Sequence, residues 1–277
     1  MEPFGPSYRW FELYSHRTES VRWTVSSESV WVRTSLSSGT LAVAETTRIH
    51  VTVDWDQVPA GFDAEGLLEV RSDMGDFDYV HVPVQNREAP AGFVGFIECD
   101  RHVSINAPHL ITINTNKMPY DIFPHLSRTG VGSVGLKRPI WEADNLPSLQ
   151  YPFFTFHPAS DAILTLYFTM TMNFEPENPL KYDLCVDKSS PSTQRFVPDA
   201  PSPGDAPPGD LPAGWFEECP TGAWTRRHTI SLAKSGAHLI QIRLRNCNCL
   251  LEKLVIDLGG ARKSYLGPSE SMTLGIS

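Results

Sequence analysis

Basic residues are scarce in this sequence, which carries 23 lysines and arginines against 32 aspartates and glutamates and has a formal net charge of -9. Nucleic acids and anionic lipid surfaces bind proteins through basic patches. The charge balance therefore argues against nucleic acid and membrane as partners. Long apolar runs are also lacking, since none approaches the roughly 18 to 20 residues that a bilayer-spanning helix needs. Neutral sugars stay open as ligands.

Two further absences concern cellular location. Residues 1–10 show no basic segment followed by an apolar stretch, so we expect no secretory signal within this chain. The five cysteines are an odd number spread over 277 residues, which is not the pattern of a disulfide framework. The sequence therefore assigns neither a localisation nor a redox compartment.

Residues 1–90 show the pattern of a small β-sandwich. Three segments alternate apolar and polar side chains with the period of a half-buried strand: 21–25, 49–55 and 80–84. Turn-forming clusters stand between the strands at 37–39, 59–61 and 73–76. Pro83 lacks a backbone donor and so predicts an edge strand. The block ends at a short hinge near 89–92.

Residues 91–277 again indicate strands, with helix nearly absent. The strongest segments are 163–170, 228–232, 239–244 and 251–258. The apolar spacing over 250–255 also fits one face of a helix, but the branched pair Val255 and Ile256 and the glycines that follow favour a strand. Residues 197–214 contain six prolines and three glycines, so we expect a flexible insertion within this domain. The sequence thus predicts an all-β protein with two antiparallel β-sandwich domains, 1–90 and 91–277.

No arrangement typical of a catalytic centre is found in the sequence. Acid pairs occur as Glu98 with Asp100, Asp183 with Asp187, and Glu217 with Glu218. Because exposed acids are common, we interpret these pairs as solvated charges at strand ends and in loops. There is no Gly-x-Ser-x-Gly motif, and the glycines at 130 and 132 precede a strand-like run instead of opening a helix. We predict no catalytic residue and no cofactor.

A metal site is considered at Cys247 and Cys249. On an extended strand these thiols share a face and could chelate a soft metal with ligands from a neighbouring strand. No second pair accompanies them, and the candidate histidines lack metal-site spacing: His102, His109 and His125. Packing as small apolar side chains is favoured. We predict no metal site.

Aromatic side chains are the usual platform for a sugar ring, whose C–H face is apolar. Four of them stand beside loop-forming residues and are candidates for sugar contact: Tyr120, Trp141, Trp215 and Trp224. Core or loop packing is the alternative interpretation for each. Three tryptophans fall in or beside alternating runs and are predicted to pack in the first core: Trp23, Trp31 and Trp55.

The segment Phe93–His109 (FVGFIECDRHVSINAPH) resembles the opening of the C-terminal domain of glycoside hydrolase family 115. Further segments match that domain in order: Leu126–Gly130 (LSRTG), Thr171–Asn173 (TMN), Leu250–Gly260, and Ser264–Glu270 (SYLGPSE). The resemblance covers about residues 93–271. Residues 1–90 resemble the immunoglobulin-like, carbohydrate-associated sandwich that precedes this domain in some members.

The resemblance implies a jelly-roll or carbohydrate-binding-module-like fold for residues 91–277. It also implies that a full-length relative is a secreted α-glucuronidase that removes glucuronic or 4-O-methylglucuronic acid from xylan with an upstream barrel domain. No segment matches that barrel, so no catalytic residue is carried over. Asn106 and Pro108 stand where the family shows glutamates, and Tyr120 stands where it shows a tryptophan, so no role of those residues is carried over either.

Three functional hypotheses follow. The first is a non-catalytic accessory region of a family 115 hydrolase acting on glucuronoxylan, as a truncated or orphan fragment that packs against a family 115 catalytic domain. The second is a standalone lectin-like module that binds hemicellulose or another plant polysaccharide. The third, a hydrolase in its own right, predicts release of glucuronic acid, which we do not expect. The candidate sugar-binding residues are Tyr120, Arg128, Trp141, Asn173 and Trp224.

Overall fold

A computed structural model describes residues 1–88, 90–110, 119–137, 147–173, 179–198 and 211–275. The chain forms two compact units, Met1–Ala91 and Gly92–Ser277. Strands dominate the described ranges, in which the single α-helix is the four-residue α1 (Trp215–Glu218). The prediction of an all-β protein is confirmed. In the same ranges, no helix has the length and apolar character needed to cross a bilayer.

The first unit contains seven strands: β1 (Arg9–Tyr14), β2 (Val21–Ser27), β3 (Val32–Thr34), β4 (Ser38–Leu41), β5 (Thr46–Val53), β6 (Asp63–Ser72) and β7 (Phe77–Gln85). They form one sheet of order β1-β5-β3 and one of order β4-β2-β6-β7, with antiparallel pairing throughout. Pro83 lies on β7 at the edge of its sheet, as predicted.

Both sheets of the first unit contribute side chains to one core. Strand β2 turns Val21, Trp23 and Val25 inward and exposes the residues between them, which is the period-two pattern of a half-buried strand. Ile49 of the other sheet packs in the same cluster. Gly39 pairs with Trp23 across β4 and β2, and a Cβ at this glycine would lie 2.6 Å from Trp23 Cζ2. The glycine therefore makes room for the indole.

The second unit contains twelve described strands: β8 (Gly95–Ile97), β9 (His102–Asn106), β10 (Tyr120–Phe123), β11 (Ser133–Leu136), β12 (Leu149–Thr155), β13 (Ala159–Thr169), β14 (Lys181–Val186), β15 (Ser192–Arg195), β16 (Ala223–Leu232), β17 (Gly236–Leu244), β18 (Leu251–Asp257) and β19 (Thr273–Leu274). One six-stranded sheet has the order β10-β11-β18-β13-β16, with β9 also paired to β18, and the other has the order β15-β14-β17-β12-β8-β19.

These two sheets cover a single core. Leu164 and Leu254 come from the first sheet, Tyr151 and Ile240 come from the second, and all four are fully buried in one cluster. Strand β18 is buried on both faces, because its outward-facing residues are covered as well. The strands β16, β17 and β18 follow the proline-rich segment yet pair with strands that precede it, so both parts belong to one folded unit.

Most strand predictions match the described structure. The segments predicted at 163–170, 228–232, 239–244 and 251–258 lie in β13, β16, β17 and β18, and the alternative of a helix near 250–255 is wrong. Of the three tryptophans predicted for the first core, Trp23 and Trp31 are buried and Trp55 is partly buried against the cluster.

Three features differ from the predictions. The pairing of β8 with β12 is parallel, so the second unit is not purely antiparallel. Cys247 and Cys249 lie in a turn and not on an extended strand, because the chain leaves β17 after Leu244. Residues 199–210, the middle of the predicted insertion 197–214, lie outside the described residues, whereas Val197 is buried.

Candidate functional site

The predicted sugar-binding residues do not form one surface. Trp224 is fully buried, with its ring centroid 5.9 Å from that of Trp215, and Tyr120 is buried with its hydroxyl donating to Pro147 O at 2.9 Å. Burial also raises the pKa of Tyr120. Neither ring can offer a flat face to a sugar, so these two predictions are corrected. Trp141 lies outside the described residues.

Arg128, by contrast, lies at the centre of a polar group of side chains. It belongs to the connection between β10 and β11, and its guanidinium carbon lies 5.2 Å from the ring centroid of Tyr167 and 5.3 Å from that of Tyr265. Arg128 Nη1 donates to Thr221 O at 3.1 Å. The Nε and Nη2 atoms of Arg128 have no acceptor in the part of the chain that the structure describes.

Glu252 holds the backbone of the same connection. Its Oε2 accepts the backbone N–H of Arg128 at 3.0 Å, and its Oε1 accepts the hydroxyl of Thr169 at 2.9 Å. The register between β13 and β18 shifts at this point, since Tyr167 pairs with Lys253 but Phe168 pairs with Leu251. Such a bulge redirects a side chain out of the regular alternation. Burial raises the pKa of the Glu252 carboxyl.

The segment 264–271 covers the outer face of β9 and β18. Lys253 Nζ donates to Leu266 O at 3.3 Å and also to Pro268 O. Ser104 bonds twice to this segment, through its backbone N–H to Ser271 Oγ at 3.0 Å and through its hydroxyl to Pro268 O at 3.0 Å. Burial lowers the pKa of Lys253, and the nearby Glu270 carboxylate opposes this change.

We call these six residues the Arg128 cluster: Arg128, Tyr167, Glu252, Lys253, Tyr265 and Glu270. It joins segments far apart in sequence, including Leu126–Gly130 and Ser264–Glu270, which carry the predicted family resemblance. Asn173, the remaining predicted residue, follows Thr171, whose hydroxyl donates to Asn248 O at 2.7 Å. Asn173 Oδ1 is buried and accepts no hydrogen bond from any residue that the structure describes.

The model of the glycosyl hydrolase family 115 C-terminal domain matches residues 95–270. This match extends over more than half of the chain's 277 residues. The chain belongs to this family. The Arg128 cluster lies within the matched residues, so it is part of the family 115 C-terminal domain. No curated protein matches the chain.

The solved structures that are similar to the chain include the following three. A family 115 4-O-methyl-α-glucuronidase with specificity for decorated arabinogalactans is 10% identical with a TM-score of 0.42, and the match covers 62% of this chain and 19% of the glucuronidase. The mosquito-larvicidal Cry4Aa toxin of Bacillus thuringiensis is 7% identical with a TM-score of 0.35, and the match covers 92% of this chain and 44% of the toxin. A carbohydrate-binding module of the β-sandwich superfamily is 8% identical with a TM-score of 0.23, and the match covers 92% of this chain and 98% of the module. These TM-scores are too low to carry information on function.

The interpretation of Glu98 and Asp183 as solvated charges is wrong, because both side chains are buried in the family 115 domain. Glu98 is 1% exposed and accepts His157 Nδ1 at 2.6 Å and the backbone N–H of His157 at 3.0 Å. Asp183 is buried and accepts Arg245 Nε and the Thr193 hydroxyl, at 2.8 and 2.7 Å. Each acid interrupts an apolar run in the sequence, and that context is the signal that could have indicated burial.

The described residues contain no group of three or more histidine, cysteine, aspartate or glutamate side chains arranged to hold a metal ion. Cys249 is fully buried and its thiol donates to Lys181 O at 3.3 Å. Cys247 packs against the same core. Both thiols therefore have packing roles, which agrees with the interpretation favoured from the sequence.

Proposed function

We propose that this chain is a non-catalytic accessory region that works with a family 115 catalytic domain on glucuronoxylan or another plant polysaccharide. The observation that supports this proposal most is the family match over residues 95–270, which is the C-terminal domain of a glycosyl hydrolase family. The second support comes from the Arg128 cluster, whose contacts are those of a structural joint. Its carboxylates hold the backbone of the domain in place.

A glycosidase of the usual kind needs two carboxyl groups that flank the scissile bond and face the substrate. In the Arg128 cluster, both oxygens of Glu252 accept hydrogen bonds from Arg128 and Thr169. Both oxygens of Glu270 are also occupied, by the backbone N–H of Asn106 and by His109. Carboxylates that are engaged in this way favour a structural role over acid-base catalysis.

The surface we propose for polysaccharide contact lies around Tyr265. This ring is 62% exposed, and Arg128 lies against it. Phe216 on α1 is a further exposed ring in the same domain. An exposed aromatic ring offers an apolar face to a sugar ring, and the guanidinium behind it holds that ring in place. Tyr265 therefore replaces Tyr120 and Trp224 as the aromatic candidate.

The test uses the full chain and a separately produced family 115 catalytic domain. We expect the chain alone to release no glucuronic acid from aldouronic oligosaccharides, to bind the catalytic domain in a pull-down, and to be retarded in a gel that contains glucuronoxylan. Tyr265→Ala should reduce the retardation, whereas Tyr79→Ala in the first unit is the matched control and should not.

The outcomes separate the hypotheses. Release of glucuronic acid by the isolated chain, lost in Glu252→Gln, would make the chain an enzyme and overturn the proposal. Retardation by glucuronoxylan without any binding to the catalytic domain would favour a lectin-like module, since an accessory region needs its catalytic partner. Failure of the chain to bind either the catalytic domain or the polysaccharide would also overturn it.

A further inference from the structure

The first unit contains an open cleft of about 400 Å³. It lies where the end of β1, the start of β2, the end of β6 and the start of β7 meet, lined among others by Tyr14, Val21, Ser72 and Phe77. Small-molecule sites have volumes of roughly 300 to 1,000 Å³. The cleft belongs to residues outside the family match at 95–270, so the proposed function does not account for it.

The floor of the cleft is apolar. Val21, Trp23 and Leu41 line it and are buried members of the unit. Trp23 is packed in the core of the unit and contacts Gly39, which has no side chain to collide with the indole. The floor is therefore a fixed, preformed surface that does not need to reorganise when a ligand binds.

The rim carries two exposed aromatic rings, one from each sheet. Tyr14 at the end of β1 is 65% exposed, and Phe77 at the start of β7 is 61% exposed. Both rings keep more than half of their surface in solvent, so they are accessible to a ligand at the mouth of the cleft. They are suitably placed to cover the apolar face of a ligand.

Polar groups line the same cleft. Arg17 Nη2 donates to Asp76 Oδ2 at 2.8 Å, and the hydroxyl of Ser72 donates to the same oxygen at 3.3 Å. Planar carboxylate and guanidinium groups can each bond two adjacent hydroxyl groups. The combination of an apolar floor, exposed rings and paired planar polar groups matches a sugar ring, which has an apolar C–H face and a polar perimeter.

The charged side chains that line the cleft favour a neutral sugar over a charged one. Three acids line the cleft, Glu12, Asp76 and Asp78, against two arginines, Arg17 and Arg71. Both arginines already have acid partners, since Arg17 pairs with Asp76 and Arg71 pairs with Glu69. A uronate would bring a further negative charge to a site whose cations are already paired, so a neutral sugar fits better.

We propose that this cleft binds a neutral pyranose residue, with Phe77 and Tyr14 against its apolar face and Asp76 and Arg17 on its hydroxyl groups. This is a second carbohydrate site, separate from the surface around Tyr265. It gives the first unit a binding role of its own, and this role does not depend on the accessory function proposed for the second unit.

The test is saturation-transfer NMR and calorimetry on the full chain with xylobiose, lactose and glucuronic acid as probes. At about 10 mM sugar, above a weak Kd of about 1 mM, we expect transfer to at least one of the two neutral sugars and a smaller transfer to glucuronic acid. Phe77→Ala and Tyr14→Ala should each weaken the binding by about tenfold, which is the loss expected for one aromatic contact.

Phe62→Ala is the matched control, because Phe62 is an exposed ring of the first unit that does not line the cleft. It should change the affinity by less than about twofold. The proposal is overturned by the absence of transfer to both neutral sugars, by binding that both rim variants leave intact, or by tighter binding of glucuronic acid. Tyr265→Ala should leave this binding unchanged, so the two carbohydrate sites can be distinguished.

Discussion

His109 Nδ1 lies 2.7 Å from Glu270 Oε2, although the two residues are 161 positions apart in the sequence. The other carboxylate oxygen of Glu270 accepts the backbone N–H of Asn106 at 2.8 Å. One side chain thus ties the segment 264–271 to β9 and to the residues that follow it. This contact holds the segment 264–271 over the outer face of β18, which is therefore buried.

Glu270→Ala should therefore destabilise the second unit. The backbone N–H of Asn106 loses its acceptor, and an unsatisfied buried donor costs about 1 to 3 kcal/mol. Urea unfolding should show a lower free energy of unfolding, and limited proteolysis should cut the segment 264–271 faster. Glu217→Ala, at an exposed acid of α1, is the control and should change neither measurement. Equal stability of the two variants would contradict the role assigned to Glu270.

Glu98→Ala should be more damaging, because Glu98 is one of the most deeply buried acids in the domain. It accepts the backbone N–H groups of Phe156 and His157 and the ring nitrogen Nδ1 of His157. Each of these donors would lose its acceptor, and an unsatisfied buried donor costs about 1 to 3 kcal/mol. Thermal and urea unfolding measure the loss.

Glu98→Gln is the informative companion to that variant. The amide keeps an acceptor for the backbone N–H groups but loses the charge, so we expect a smaller loss than for Glu98→Ala. If Glu98→Ala unfolds no more easily than the wild-type chain, the buried contact does not contribute to stability.

The stability of the second unit should fall as the solution becomes acidic through His228. Burial, with a smaller contribution from Arg226, lowers the pKa of His228 in the folded chain. The hydroxyl of buried Tyr182 lies 2.7 Å from His228 Nε2 and can donate to that nitrogen only while the imidazole is neutral. The unfolded chain binds the proton first, near the ordinary histidine pKa of about 6.5.

The stability contributed by neutral His228 is thus fully present above about pH 6.5 and is lost as the pH falls through the lower folded pKa. His228→Gln should flatten this slope when urea unfolding is measured at a series of pH values from neutral to mildly acidic. His81→Gln, at an exposed histidine of the first unit, should leave the slope as it is. A variant of His228 with the wild-type pH slope would contradict this assignment.

The sequence was a good guide to strands and a poor guide to individual site residues. Alternation in β2 identifies Trp23 as a core residue because the period of a strand decides which side a residue faces. Trp224 has glycine and threonine nearby, which is typical of a loop, but the pairing of β16 with β13 places Trp224 in the core. That pairing joins residues far apart in the chain, which local patterns do not encode.

Buried acids show the same limit of local patterns. Glu98 contacts His157, which is 59 positions away in the sequence. No residue near Glu98 in the sequence predicts that contact. The Arg128 cluster could be predicted in part from the sequence, because the order of the family-like segments places Arg128 and Glu270 in one domain. Their convergence on β18 depends on a bulge between β13 and β18, and a single sequence does not predict such a register shift.

Gly39→Ala should destabilise the first unit. The new Cβ would lie 2.6 Å from Trp23 Cζ2, so the indole must shift in a packed core, which costs typically 1 to 3 kcal/mol. Ser38→Ala, one position away on the same strand at an exposed residue, is the control. Tryptophan fluorescence during urea unfolding reports the change, and Gly39→Ala as stable as Ser38→Ala would show that the indole is not confined.

Trp224→Ala should cost about 3 to 5 kcal/mol, because it removes a large, fully buried side chain from the core of the second unit. This expectation changes how a binding experiment is interpreted. If Trp224→Ala no longer binds glucuronoxylan, the loss follows from unfolding, and near-ultraviolet circular dichroism should show the missing tertiary structure. Phe216→Ala, at an exposed ring of the same domain, should keep both the spectrum and the melting temperature. A Trp224→Ala chain that melts like the wild type but no longer binds would instead return Trp224 to the sugar-binding surface.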